Sequence, residues 1–354
     1  MAVSKCIGRL LSARRFAVAA SAAAVCFAIA VAAFPAAAQF TAPWSTEVQP
    51  PAAKAKPKPP TAGEQRRHLL DGVRSWGYQL RLLRFPEIAA SPLDLVVIDH
   101  ALSAGRRFVH QFSPDLLDLA KKKPDGGRRL VLAYLSIGEA ERYRFYWDQA
   151  WYEPATKPAW LGALNLEWEG NYLVRFWFPE WQRIIIDGPD SYLGRIKAAG
   201  FDGIYIDRAD VHSEWAKEKP DAEPLMAEFI RRLATAARAD NPQFLVIMQN
   251  AEELVARKSV LEAIDGIGKE DLYFGIDHNA GRNDSGNVAS SLRYLRQAKR
   301  AGRRILVVEY LDEATKIAIA RRATDAEGFL FHVTGRDLGD LSVASPTEAP
   351  PTPR

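Results

Sequence analysis

Short apolar runs alternate with amphipathic stretches through the middle of this chain. The runs are Gly77–Leu80, Leu95–Ile98, Leu130–Leu135, Tyr172–Trp177, Gly203–Ile206, Phe244–Met248, Ile264–Gly268, Ile305–Tyr310 and Gly328–Val333. Between several of them the apolar positions recur at helical spacing. In Ala222–Arg238 they are Leu225, Met226, Phe229, Ile230 and Leu233; in Ala289–Ala301 they are Leu292, Leu295 and Ala298. Near-continuous apolar strands separated by helices imply a parallel sheet buried on both faces. The pattern predicts an α/β fold, a single (β/α)8 TIM barrel, with one strand candidate more than eight strands require. A doubly wound open sheet has the same alternation, but no Gly-rich phosphate loop follows the first strand.

The ends of the chain read differently. Residues 1–38 begin with Lys5, Arg9, Arg14 and Arg15, continue through the apolar run Phe16–Phe34, and close on Ala36-Ala37-Ala38 before Gln39. That is the layout of an export signal with a small-residue cleavage site. Left uncleaved, residues 16–34 are long enough to anchor the protein in a membrane. Residues 39–68 read as a Pro/Ala/Lys-rich linker, 69–340 as the barrel, and 341–354 as a Pro-rich disordered tail. The expected location is therefore secreted or periplasmic, with a membrane tether only if the signal stays.

Composition and charge narrow the chemistry. The formal charge of the 354-residue chain is +4, but residues 1–38 hold four basic residues and no acid, which leaves 43 basic against 43 acidic residues in the remainder. No basic footprint for nucleic acid remains. Both cysteines, Cys6 and Cys26, lie in the export segment, so the mature chain has no thiol for a disulfide, a zinc-thiolate site or a nucleophile. The six histidines form no His-x-His and no His-Glu-x-x-His, so no metal site and no cofactor is expected.

In a barrel of this kind the chemistry sits where strands end, on the C-terminal face. Here Leu95–Ile98 runs into Asp99, and Leu130–Leu135 into Ser136-Ile137-Gly138-Glu139-Ala140-Glu141. Gly203–Ile206 ends in Asp207, with Asp210 close behind. Phe244–Met248 leads to Gln249-Asn250 and then Glu252 and Glu253, Ile264–Gly268 to Lys269-Glu270-Asp271, and Ile305–Val308 to Glu309-Tyr310. One such acid is commonly a helix cap. Acids or amides after six strands make an acidic cleft. Two carboxyl groups and no thiol suit glycoside hydrolysis, in which one protonates the leaving oxygen and the other attacks or activates water. Sugar rings also stack on aromatic side chains, and residues 143–181 hold six tryptophans. A non-catalytic saccharide-binding barrel at the cell surface is the alternative reading of the same cleft.

Several blocks then resemble a known family in the right order. They are Trp76-Gly77-Tyr78-Gln79-Leu80, Val97-Ile98-Asp99, Leu132-Ala133-Tyr134-Leu135-Ser136-Ile137-Gly138-Glu139-Ala140-Glu141 with Tyr143-Arg144 and Tyr146-Trp147, and Val174-Arg175-Phe176-Trp177. Gly200-Phe201-Asp202-Gly203-Ile204-Tyr205-Ile206-Asp207, Gln249-Asn250 and Val307-Val308-Glu309-Tyr310 complete the set. Over residues 74–332 the chain resembles the endo-α-1,4-polygalactosaminidase family, glycoside hydrolase family 114. The resemblance implies a monomeric TIM barrel that cleaves α-1,4-linked galactosamine-containing polysaccharide with an acidic pair. It places Asp207 as nucleophile or stabilising carboxylate and Glu270 as general acid/base, with retention of configuration. Retention sets the two carboxyls about 5–5.5 Å apart, against about 6.5–9.5 Å for the alternative, inversion, and the acid role asks that Glu270 hold the proton while Asp207 stays ionised. Tyr78, Asp99, Tyr134, Glu139, Arg175, Trp177, Asp210, Asn250 and Glu309 are the expected substrate-binding residues. An amino-sugar polymer, cationic where deacetylated, suits such a cleft.

Overall fold

The computed structural model describes residues 59–104 and 108–341. The export segment, both cysteines, most of the linker and the tail beyond Leu341 lie outside the described residues.

Eight parallel strands form one sheet in the order β1 Trp76–Gln79, β2 Leu95–Ile98, β3 Leu130–Ser136, β4 Gly203–Asp207, β5 Leu245–Gln249, β6 Gly266–Glu270, β7 Arg304–Glu309 and β8 Leu330–Val333. Each hydrogen-bonds to the next in sequence, and β8 packs back against β1 without a hydrogen-bonded ladder between them. The sheet thus curls into a (β/α)8 barrel with its helices outside. The helices Ala222–Ala237 and Ser285–Arg300 fall where the apolar periodicity predicts them. The first buries Met226, Phe229, Ile230 and Leu233.

Side chains alternate along each strand, and the alternation splits the core in two. Val96, Ile98, Val131, Ala133, Ile204, Ile206, Val246, Met248 and Val307 face the helices. Trp76, Tyr78, Leu95, Val97, Leu132, Tyr134, Tyr205, Ile247 and Val308 fill the barrel interior. The packing there is tight at Gly268: a Cβ would come within 1.8 Å of the Tyr205 hydroxyl oxygen. Gly268→Ala is accordingly expected to lose about 1–3 kcal/mol by overpacking, read as a lower melting temperature; an unchanged melting temperature would contradict this packing.

The ninth strand candidate, Tyr172–Trp177, is the one outside the barrel. Its first half belongs to Asn171–Val174, the centre of a three-stranded antiparallel sheet with Glu139–Glu141 and Leu161–Leu164. This sheet rises from the end of β3. The N-terminal boundary also differs from expectation, because a helix spans Ala62–Asp71 within the last residues of the predicted linker. Thr61 and Glu64 form its capping box. Arg66 fastens it to the barrel through Asp265 at 2.8 Å and the Pro242 carbonyl at 2.7 Å. Its exposed face is polar, which is why composition alone reads it as linker.

Candidate active site

Strand parity builds the site. Two residues beyond the interior-facing Tyr205 lies Asp207, beyond Ile247 lies Gln249, beyond Gly268 lies Glu270, and beyond Val308 lies Tyr310. All four sit at the C-terminal ends of neighbouring strands β4 to β7, and their hydrogen bonds converge. Tyr134 donates its hydroxyl to Asp207 Oδ2 at 2.8 Å, and the Arg208 N–H donates to Oδ1 at 2.7 Å. Glu270 accepts from three side chains: the Gln249 amide, the Asn250 amide at 2.9 Å, and the Tyr310 hydroxyl. The backbone is bent to bring these groups in. Arg208, Asn250 and Asp271, each just past a strand end, have φ of 60°, 51° and 49°. Left-handed non-glycine residues clustered at one rim are a common mark of a functional site.

Burial pushes the Asp207 carboxyl up, and the charges of Glu270 and Asp210 push it further in the same direction. The expected division of roles asks that Asp207 stay ionised, and this upward push on Asp207 in the free site runs against it. The phenols of Tyr78, Tyr134 and Tyr310 are raised well above their ordinary value, first by burial and then by these carboxylates. They stay protonated, and Tyr134 and Tyr310 donate to the pair.

The other expected site residues divide. Tyr134 and Asn250 touch the pair. Tyr78 lies directly beneath it, buried, with its ring 5.2 Å from that of Tyr205. Asp210 stands at the rim beside Arg208, 3.5 Å from its guanidinium. Asp99 has the right parity but no free oxygen: Arg144 donates to both, at 2.7 and 2.8 Å. Burial would raise that carboxyl, yet Arg144 and His100 hold it well below the usual range. Glu139 is 1% exposed, accepts hydrogen bonds from Asn165 at 2.8 Å and Asn171 at 2.9 Å, and forms an ion pair with Arg208 at 2.8 Å. Both are therefore braces one step behind the site, not groups that reach a substrate. Gly138 allows the second brace, since a Cβ there would lie 2.1 Å from the Arg208 carbonyl oxygen.

Three expectations are corrected outright. Glu309 has the opposite parity to Val308 and Tyr310, so it points away from the barrel interior. It is fully buried and accepts the N–H groups of Tyr273 at 2.8 Å and Phe274 at 3.2 Å, clamping the loop after β6. Arg175 pairs with Glu218 at 2.5 Å and lies over the Trp215 ring. Trp177 packs edge-on against that same Trp215, 5.6 Å between centroids. Both belong to an outer aromatic cluster. Other acids that follow these strands are also occupied: Glu252 by Lys269 at 3.3 Å, Glu253 by His212 at 2.9 Å, and Asp271 by Arg336 at 2.9 Å. Gln249 and Tyr310 are absent from the expected site, although their parity with Ile247 and Val308 places them in it.

A (β/α)8 barrel with two half-buried carboxyls at its strand ends is the frame of a glycoside hydrolase. The chain belongs to glycoside-hydrolase family GH114, whose model matches residues 49–348, and it is a glycoside hydrolase. It is 35% identical to an uncharacterized protein of Methanocaldococcus jannaschii over 68% of this chain and 67% of that protein. A second uncharacterized protein, from Deinococcus radiodurans, is 31% identical over 81% of this chain and 88% of its own. Among solved structures, the glycoside hydrolase domain of PelA from Pseudomonas aeruginosa has the same fold. It superposes with a TM-score of 0.57 at 17% identity over 76% of this chain and 98% of that domain.

Proposed function

We propose that this hydrolase is exported and cleaves α-1,4-linked galactosamine-containing polysaccharide with Asp207 and Glu270 as its two carboxyl groups. The observation that carries the reading is geometric: Asp207 and Glu270 end β4 and β6, one strand apart, with Asp207 held by Tyr134 and Glu270 by Gln249, Asn250 and Tyr310, the two carboxyls that glycoside cleavage needs. A protonated sugar amine entering the cleft favours the ionised form of the nearest carboxylate. Held beside Asp207, it would favour Asp207 ionised, as the nucleophile or stabilising charge. Glu270 then protonates the departing oxygen, and its three donors fix the direction from which it does so. Export is supported by the basic start, apolar run and Ala-rich end of residues 1–38. N-terminal sequencing of the protein from its native host is expected to begin near Gln39; Met1 retained on a soluble cytoplasmic chain would contradict it.

A groove of about 460 Å³ supports the polymeric nature of the substrate. Its walls are Leu164, Leu166, Glu167, Trp168 and Leu173 of the 161–174 hairpin on one side, and Arg208 and Glu214 on the other. Arg208, which lines this groove, follows Asp207 directly in the chain. Trp168 is 46% exposed and offers a face on which a sugar ring can stack. Trp168→Ala is expected to raise KM on long polymer about threefold to tenfold, the worth of one aromatic contact, and to leave kcat nearly unchanged. An unaltered KM would remove the groove from the binding path.

The substrate class is tested by comparing initial rates on partially deacetylated galactosaminogalactan and on the fully N-acetylated polymer. The deacetylated polymer is expected to be cleaved faster, and the advantage to shrink with added salt. Equal rates at every salt concentration would contradict recognition of the amine.

A further inference from the structure

Each carboxyl of the pair is served by a phenol, and each phenol lies under a guanidinium. Tyr134 donates to Asp207, and the Arg144 Cζ stands 5.7 Å from the Tyr134 ring centroid. Tyr310 donates to Glu270, and the Arg336 Cζ stands 4.4 Å from the Tyr310 ring centroid. The arginines are themselves held by acids outside the pair: Arg144 by Asp99 and Glu141, Arg336 by both oxygens of Asp271 at 2.9 and 3.0 Å. The same three-part arrangement thus recurs on opposite sides of the cleft, built from unrelated stretches of chain.

We infer that Arg336 is a positioning residue for the hydrolysis reaction, acting on Glu270 through the ring of Tyr310. A cation against the π face draws electron density from the ring, which makes the hydroxyl a stronger donor. A stronger donor holds the Glu270 carboxyl in one orientation, and the cation behind the ring adds to the field at the pair. Arg336 reaches this place from the loop after β8, far in sequence from Glu270. Removing the buried Arg144 would mix a loss of stability with any effect on rate, but the Arg336 side chain is 30% exposed and can be exchanged. Its remaining contact is with the Gly275 carbonyl at 3.4 Å, in the loop that follows β6. That contact gives Arg336 a second possible role, as a mere anchor of the loop.

The inference rests on Glu270 belonging to the catalytic pair, and the two can fail separately. If Glu270→Gln is fully active, the pair is wrong; if Glu270→Gln is inactive, the following cycle judges Arg336 alone. Arg336→Gln keeps an N–H for Asp271 and removes the charge above the ring. In the full-length protein, with partially deacetylated galactosaminogalactan as substrate, it is expected to lower kcat roughly threefold to tenfold, the rate equivalent of a partly exposed cation–π contact. KM should stay within about twofold, as expected when only transition-state interactions weaken, and the limb of the pH–rate profile set by the pair should move. In a Tyr310→Phe background, which has no hydroxyl to strengthen, Arg336→Gln should have no further effect on kcat. Arg336→Lys, which restores a cation, should recover most of the rate and return the limb to its place. Equal losses of kcat from Arg336→Gln in both backgrounds would assign the residue to loop anchoring and overturn the inference. An unchanged kcat and profile would do the same. Should Arg336→Gln not fold, Arg336→Lys decides: a rate as low as that of Tyr310→Phe would contradict the inference, and a rate near wild type with an unmoved limb supports it.

Discussion

Asp207→Asn and Glu270→Gln should each lower kcat/KM by roughly 10²- to 10⁴-fold, the range of a lost general acid or base. Neither should harm the fold, and Asp207→Asn should strengthen it. The folded-state affinity of Asp207 for a proton is raised by burial and by the charges of Glu270 and Asp210. As pH climbs above the ordinary aspartate value of 3.8, the unfolded chain releases this proton while the folded chain keeps it. Stability therefore falls with rising pH through that window, because the native state binds more protons than the unfolded one. Asparagine removes the loss. The variant should melt higher than wild type near neutral pH, and the gap should close as the pH falls to 3.8 and below. Retention of activity within tenfold, or a variant that melts lower at neutral pH, would count against the assignment.

The largest effect on stability should come from Arg144, which stands one step behind the catalytic pair. Its side chain is 3% exposed, bonded to both oxygens of Asp99 and to Glu141 at 2.5 Å, and it lies over the rings of Tyr134, Tyr143 and Tyr192. Arg144→Met leaves two carboxylates buried without a cation, a change that typically costs about 3–5 kcal/mol. Chemical denaturation at neutral pH measures it. The sign with pH follows from Asp99, whose folded-state proton affinity is depressed despite its burial. Its contribution to wild-type stability is present above the unfolded value of 3.8 and is lost as pH falls through the lower folded value. The deficit of the variant should therefore narrow in acid. A variant as stable as wild type at neutral pH would mean that the cluster is not braced by this arginine. Because Tyr134 loses the cation above its ring at the same time, activity should fall further than the stability loss alone produces.

Much of the barrel is legible in the chain because buried parallel strands are apolar on both faces, and short runs of that kind recur between helices at barrel spacing. The one surplus candidate misleads for a physical reason. Tyr172–Trp177 is aromatic and β-branched enough to form a strand, but it pairs with a hairpin above the barrel and stays half-buried there. Asp207 and Glu270 are visible as acids ending such runs. Which strand-end acids face the cleft depends on parity, and position alone misplaces Glu309, one residue out of phase with Tyr310. Counting by twos from Val308 and Ile247 recovers Tyr310 and Gln249. The braces are a different matter. That Arg144 closes on Asp99, or that Arg336 covers Tyr310, depends on loops brought together by the closed sheet, and no local pattern encodes it.

The most direct measurement is product analysis. The full-length protein is incubated with partially deacetylated galactosaminogalactan, beside Asp207→Asn and Glu270→Gln controls, and the soluble products are weighed by mass spectrometry. The wild-type protein should release a series of oligosaccharides whose masses fit cleavage between galactosamine-containing units, with each new reducing end carrying one added water, and both controls should release none. A polymer that binds the wild-type protein and remains intact would contradict the account and leave a saccharide-binding barrel in its place.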